Sequence, residues 1–311
     1  MIILVTGAAG FVGRHLTAEL LRAGHEVILT DYHDTNVEIF GFGRKPVQKM
    51  DICNRGECEK VVQRTGPAAI VHLAGLAQTV GMSPERLHSS NVLGAKNVAE
   101  ALSNAGPIES GRPRIFLFIS SAFVYGGDKE SGTHIFHEST PVAPRGDYGK
   151  SKLDAETSLQ KLDGKSLSVY IARPFNHIGP GQGVSFVVPS LVMRIKEATQ
   201  GSTIATGNLN SIRDFTDVRD VVRSYRLIIE VHPSQRLFVI GSGKPATIQS
   251  VYELLVRLSG KSLQHEIADH LKRDEGTAAL LSDSSLADRV LGWKPLIPLE
   301  QSIQDIWHEH Q

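Results

Sequence analysis

Ile2-Ile3-Leu4-Val5-Thr6-Gly7-Ala8-Ala9-Gly10-Phe11-Val12-Gly13 opens the chain, and its reading decides the fold. Its first five residues are apolar or β-branched, the composition of a buried strand. Three glycines follow with the spacing G-x-x-G-x-x-G. From Phe11 to Arg22 the apolar residues recur at helical spacing, and Gly24 stops that helix. Glu26 to Thr30 reads as a second strand ending in Asp31. Each part has a physical use. Gly7 permits a tight turn, Gly10 removes the side chain that would keep a pyrophosphate from the backbone, and Gly13 lets the helix pack close to a sheet. The amides at the helix start, at Phe11, Val12 and Gly13, then face a diphosphate with the positive end of the helix behind them. Asp31 stands where a carboxylate can take both hydroxyls of an adenosine ribose. The stretch predicts a dinucleotide site.

Working outward, the rest of the first half alternates strand and helix. Strands are expected at Val47 to Met50, Ala69 to Leu73, Ile115 to Ile119 and Leu167 to Ala172. Helices are expected at Asn54 to Gln63, Ser89 to Ser103 and Tyr148 to Leu162. Such alternation predicts an α/β fold, a Rossmann-like doubly wound parallel sheet with helices on both faces. After Arg173-Pro174 the elements shorten and loops increase. Residues 173 to 182, rich in Pro and Gly, read as an exposed loop, and a helix starts at Val187. The expected organisation is a dinucleotide-binding domain over 1–173, which also receives strands and a helix from about 216–242. Residues 174–311 form mainly a smaller substrate-binding lobe over the carboxyl ends of the strands.

Composition narrows the partners. The 311 residues are 41% apolar and 21% charged, with 33 basic and 33 acidic side chains. That is the profile of a soluble globular protein. Balanced charge gives no support for a nucleic-acid or anionic-membrane partner. No apolar run approaches the roughly twenty residues of a membrane span. A nucleotide strand starting at residue 2 leaves the expectation of a cytoplasmic chain with no signal peptide. Cys53 and Cys58 read as free thiols of a reducing compartment. The 13 histidines show no ligand spacing, so no metal is expected.

The chemistry is carried further along. Ser120-Ser121-Ala122-Phe123-Val124-Tyr125-Gly126 follows the fifth strand, and Tyr148-Gly-Lys-Ser-Lys152 opens the next helix. Tyr148 and Lys152 are four apart and share a helical face. A free phenol titrates near pH ~10. A neighbouring ammonium and a cationic nicotinamide would lower that value, so that Tyr148 exchanges a proton with a substrate oxygen near neutral pH. Ser121 can donate a hydrogen bond to the same oxygen.

These residues, together with His72-Leu73-Ala74-Gly75 and Asn91-Val-Leu-Gly94, resemble the extended short-chain dehydrogenase/reductase family, the NAD-dependent epimerases and dehydratases. The resemblance runs along nearly the whole chain. It implies that Ser121, Tyr148 and Lys152 are catalytic, with Tyr148 and Lys152 also touching the cofactor. It implies that Asp51 and Ile52 contact the adenine. Leu73, Ala74 and Gly75 would line the diphosphate and nicotinamide ribose. Asn91 would be structural or part of a proton path at the cofactor. Arg173-Pro-Phe-Asn-His-Ile-Gly-Pro-Gly-Gln182, Gly207-Asn-Leu209, Arg213-Asp-Phe-Thr-Asp-Val-Arg-Asp220 and Gly292-Trp-Lys-Pro295 resemble the GDP-mannose 4,6-dehydratase and GDP-4-keto-6-deoxymannose reductase branch. There Asn176 would meet the sugar-nucleotide diphosphate. Arg213 and Arg273, or Lys272, would grip phosphate oxygens. Gln78 and Val187 are further candidates for the sugar nucleotide, and Ser83 another near the sugar. The resemblance also implies a homodimer paired through the two long helices, their apolar faces buried in a four-helix interface.

Two departures select among reactions. The 4,6-dehydratases carry a glutamate where this chain has Phe123, and a phenyl ring takes no proton. GDP-fucose synthase has a cysteine at that place and a histidine where this chain has Phe186. Dehydration and C3/C5 epimerisation are therefore disfavoured. What remains is a hydride transfer and one proton: reduction of a 4-keto group on a nucleotide-activated 6-deoxy sugar, with a sugar-nucleotide 4-epimerase as the alternative. A cofactor-binding sensor without catalysis is the third reading, and the intact Ser121, Tyr148 and Lys152 argue against it. Asp31 would repel a 2′-phosphate, and Tyr32 and His33 follow it rather than an arginine. NAD(H) is thus expected over NADP(H). Arg14 reads as a solvated helix charge, Tyr125 as structural, His177 as a packing residue and Trp293 as a core anchor.

Overall fold

Ile3, Leu4 and Val5 have no exposed surface, so the first strand, Ile2–Thr6, is covered on both faces. A continuous apolar strand demands that environment. A computed structural model describes residues 1–77, 82–126, 132–144, 146–271 and 279–309. It places this strand inside an eight-stranded sheet. From one edge the order is Leu237–Ile240, Leu167–Pro174, Arg114–Ile119, Ala69–His72, Ile2–Thr6, Glu26–Asp31, Gly43–Lys49 and Thr35–Ile39. All neighbours run parallel except the last pair, which is antiparallel.

Helices cover both faces. Phe11–Arg22 and Val218–Val231 bury Leu16, Leu20, Val221 and Ile228 on one side. Arg55–Thr65, Ala95–Asn104 and Gly146–Gln160 bury Val62, Val98, Leu102 and Leu159 on the other. The architecture is α/β and doubly wound. Thr6 pairs with Thr30 on one side and His72 on the other, so the chain winds outward in both directions from the first strand. The crevice this opens at the strand ends is where such sheets bind ligands.

A further apolar cluster lies outside the sheet layers. Helices Val187–Glu197, Ile248–Ser259 and Leu299–Glu309 pack Ile195, Leu255, Ile306 and Trp307 together. Asn176–Ile178, Ile212–Asp217 and Pro245–Thr247 form a small three-stranded sheet beside them.

Three local expectations are corrected. Residues 173–182 are not all loop, because Asn176–Ile178 pairs with Ile212–Asp217; three residues are too few to show a period. The strand at 47–50 begins at Gly43 and turns back on Thr35–Ile39, a hairpin whose polar, half-exposed residues hide the alternation. The helix expected from Ser89 starts at Pro84, capped by Ser83, and winds as a π-helix over His88–Gly94. Such insertions often mark sites where a side chain must be re-aimed. Trp293 is fully buried and donates through its indole to the Asp220 carbonyl, 2.8 Å away.

Candidate active site

A cavity of about 740 Å³ opens at the carboxyl ends of the parallel strands. Its walls bring together residues far apart in sequence. Gly7, Gly10, Phe11, Val12 and Gly13 line one end, with Leu73 and Gly75 beside them. Ser121, Tyr148 and Lys152 line the middle. Asn176, Val187 and Arg213 line the part bordered by the three-stranded sheet and the helix Val187–Glu197.

The glycine turn has the geometry its residues demand. Gly7 has φ +68°, and a Cβ there would meet the Ala74 nitrogen at 2.9 Å. At Gly13 a Cβ would fall 2.4 Å from the Gly7 carbonyl oxygen. The helix that follows begins at Gly10 with no side-chain cap and no acid in its first turn. Its first amides are thus left for an anion. Asp31 stands at the rim of the turn, where its carboxylate accepts from the Ala9 amide at 3.0 Å.

Some expected residues lie behind the walls. Asn91 is 1% exposed. Its amide oxygen accepts from the Leu76 nitrogen at 2.8 Å, and its amide nitrogen donates to the Leu76 carbonyl and the Ser151 hydroxyl. It holds the 74–77 loop to the helix Gly146–Gln160 rather than reaching the cavity. Ala74 backs the Gly7 turn and donates its amide to the Thr6 hydroxyl. Asp51 accepts from the Cys53 amide at 2.9 Å, and Ile52 is buried under Gly94. Gln78, Lys272 and Arg273 lie outside the described residues.

The helix Gly146–Gln160 sets the reactive face. Tyr148 and Lys152 follow one another down it, with the Lys152 ammonium 5.9 Å from the Tyr148 ring centre. Lys152 is buried and donates to the Ile119 carbonyl at 2.9 Å. Burial pulls its pKa down to about 8, while the nearby Glu156 carboxylate pulls it up. Tyr148 departs from the expectation of a lowered value. Burial pushes its phenol up to about 12, and a hydrogen bond with Ser121 only partly offsets this. Phe123 packs edge-on against Tyr148, centroids 5.8 Å apart, and Phe186 lines the cavity while 46% exposed.

A family model for the NAD dependent epimerase/dehydratase family matches residues 3–241. GDP-6-deoxy-D-mannose reductase of Pseudomonas aeruginosa is 33% identical, over 98% of this chain and 95% of that protein. The chain belongs to the NAD dependent epimerase/dehydratase family. UDP-glucose 4-epimerase 4 of Oryza sativa subsp. japonica is 28% identical over 98% of this chain and 89% of its own length. Among solved structures, that of RMD from Pseudomonas aeruginosa complexed with NADPH superposes with TM-score 0.81. It is 29% identical and covers 99% of this chain and 98% of that one. This family member is a nicotinamide-dependent oxidoreductase of the extended short-chain type.

The residues present fit such a cofactor. An uncapped helix start faces the cavity, glycines clear the approach, and a carboxylate waits at the end of the second strand. Two features of the site escaped the sequence reading. Glu156 lies one turn beyond Lys152 and is bound by Arg173 and by the Ser120 hydroxyl in a buried cluster. The same four-residue step that links Tyr148 to Lys152 points to it. Arg14 is not a solvated charge. Its guanidinium donates to the Gly181 carbonyl at 2.8 Å and lies over the Phe40 ring. Nothing in the spacing signals that contact, which spans 167 residues.

Proposed function

We propose that this protein reduces the 4-keto group of a nucleotide-activated 6-deoxy sugar, with a GDP-linked 4-keto-6-deoxymannose as the substrate. The observation that carries the reading is the acid set formed by the described residues of the cavity. Ser121, Tyr148 and Lys152 line it together, and Phe123 and Phe186, which take no proton, line it at the places where the family resemblance expects the further acid/base groups of a dehydratase or C3/C5 epimerase. When bound, the reduced nicotinamide supplies the hydride to the carbonyl carbon.

The chain's own residues do the rest. Tyr148, held up at about 12, is a protonated phenol at neutral pH and is loaded to give a proton to the C4 oxygen. A raised value suits an acid in the reducing direction better than a base in the oxidising one. Ser121 orients the same oxygen. Lys152, still charged below its value of about 8, stabilises the phenolate that is left and holds the nicotinamide ribose. Asn176 and Arg213 take the sugar-nucleotide diphosphate, with Arg273 or Lys272 as a second cation. Gln78 and Val187 border the sugar. Asp51 and Ile52 meet the adenine through the 51–52 turn.

NADH is the cofactor we assign ahead of NADPH. Asp31 supports this by its charge, and no arginine follows it. Kinetics with both cofactors decide the point, and a strong NADPH preference removes it. The reductase reading is tested by incubating the protein with a panel of GDP-, UDP-, dTDP- and CDP-4-keto sugars while following absorbance at the reduced nicotinamide band. Stoichiometric oxidation with a GDP-4-keto-6-deoxy sugar is the expected result. The epimerase relative motivates one alternative. Interconversion of C4 epimers with no net cofactor oxidation would establish a 4-epimerase instead. Two protomers pair through the helices expected at Ser89 to Ser103 and Tyr148 to Leu162, a proposal supported by Leu93, an apolar residue 46% exposed. Light scattering at micromolar concentration should give twice 33.9 kDa.

A further inference from the structure

Six tyrosines occur in the chain, and four of them are buried. Three of the four give their hydroxyls to a backbone carbonyl: Tyr125 to His137 at 3.0 Å, Tyr170 to Pro233 at 3.0 Å and Tyr252 to Leu263 at 3.3 Å. Tyr225 does not. It lies on the helix Val218–Val231 with no exposed surface, packed in the same cluster as Ile119, Ala172 and Ile240. Among the described residues its hydroxyl has no hydrogen-bond partner, although the residue borders the cavity. A buried polar atom left unpaired costs free energy, so an orphan at a ligand cavity points to a ligand atom.

The position of Tyr225 says which atom. It packs with Ile119 and Ala172, at the ends of two neighbouring strands, and borders the cavity that Pro174, Phe175 and Tyr148 also line. The substrate oxygen is already served by Tyr148 and Ser121. The diphosphate is served by the glycine turn at the other end. A nicotinamide reacting beside Tyr148 would border this wall, and its polar substituent is a carboxamide. Burial, with Tyr148 nearby, pushes the Tyr225 phenol upward, so it stays neutral and can donate. We propose that the Tyr225 hydroxyl donates a hydrogen bond to the carboxamide oxygen of the bound nicotinamide and fixes the orientation of the ring. This rests on the cofactor reading given above and names a binding residue beyond it.

Tyr225→Phe tests the assignment, because it removes one oxygen and keeps the packing. Affinities are measured by calorimetry for NADH, for its 3-acetylpyridine analogue, which keeps the carbonyl oxygen, and for ADP-ribose, which lacks the ring. The variant should bind NADH and the analogue about five- to tenfold more weakly, as one lost neutral hydrogen bond implies. ADP-ribose affinity should stay within about twofold, well under the factor of ten that 1.4 kcal/mol represents. The melting temperature of the ligand-free variant should equal or exceed that of the parent, since the hydroxyl it loses is unpaired there. Unchanged NADH affinity overturns the proposal. An equal loss for ADP-ribose overturns it too, by showing a general distortion. A melting temperature lowered by several degrees would also overturn it, by showing that the hydroxyl is already satisfied in the free protein. Failure of the parent protein to bind any nicotinamide dinucleotide would instead strike the cofactor reading itself.

Discussion

Glu156 takes the Arg173 guanidinium through both carboxylate oxygens, at 3.0 and 2.6 Å, and both side chains are buried. The pair ties the helix Gly146–Gln160 to the strand Leu167–Pro174 just before the chain leaves the main sheet. The Ser120 hydroxyl joins it from the end of the neighbouring strand, and the Tyr125 ring lies under the guanidinium at 4.9 Å. One turn up the helix the same carboxylate raises the pKa of Lys152.

Glu156→Gln therefore has two expected effects. Leaving a buried guanidinium without its counter-charge should cost about 3–5 kcal/mol of stability in urea unfolding. Removing the carboxylate also removes the group that pulls Lys152 up, so Lys152 falls further below its value of about 8. The alkaline limb of the rate profile should then move to lower pH. A purely structural role would lower stability and leave that limb in place.

Tyr148→Phe separates catalysis from cofactor binding. The variant keeps the ring that packs against Phe123 and loses the proton donor. Turnover should fall by about 10²–10⁴-fold, the usual worth of a positioned acid. Cofactor affinity, measured by fluorescence titration, should change little. Full turnover in the variant would remove Tyr148 as the acid.

How much of this was legible beforehand follows from the range of the forces involved. The glycine turn, the strand that precedes it and the Tyr148–Lys152 step are local patterns, and the turn and the step both sit in the cavity wall. The helix Phe11–Arg22 begins and ends where its apolar period and stop signal place it. The short strands are different. Thr133–Phe136 and Ala279–Ser282 pair with each other across more than a hundred residues, and four residues carry no period of their own. The Tyr148 proton affinity was misjudged for a related reason. Charge neighbours can be counted from spacing, whereas desolvation depends on what the fold lays over the side chain.

Burial also sets the response to acid. His72 is held down to about 3 and His15 to about 4, both chiefly by burial. Unfolded, each would titrate at its ordinary 6.5. Between those limits the unfolded chain binds more protons than the folded one, so acid favours unfolding. The stability these neutral rings contribute is present above pH ~6.5 and is lost as pH falls toward 4 and then 3. Urea unfolding across that window should show a steep decline. His15→Phe, set between Phe11 and Phe40, should flatten the slope even if its absolute stability differs. An unchanged slope would exclude His15 as a contributor.

Arg14 offers a prediction about the substrate side from a residue on the cofactor side. Its guanidinium and the His15 ring hold the Gly181 and Pro180 carbonyls, each at 2.8 Å, so the first helix of the sheet domain pins the loop leading to Gln182. Gln182 borders the cavity and is anchored by its amide to the His177 carbonyl at 3.0 Å. Arg14→Ala frees one side of that loop. A charge-assisted hydrogen bond of this kind contributes about 1.5–3 kcal/mol, part of which should appear as lost stability. The rest should appear as a raised KM for the sugar nucleotide, because the loop must be ordered on binding. The acid and its neighbours stay on the helix Gly146–Gln160 and are untouched, so kcat should hold within about twofold, below the tenfold that 1.36 kcal/mol of barrier represents. Steady-state kinetics with the sugar nucleotide varied at saturating cofactor measure the split. A fall in kcat with KM unchanged would show that the clamp acts on the chemistry rather than on the loop.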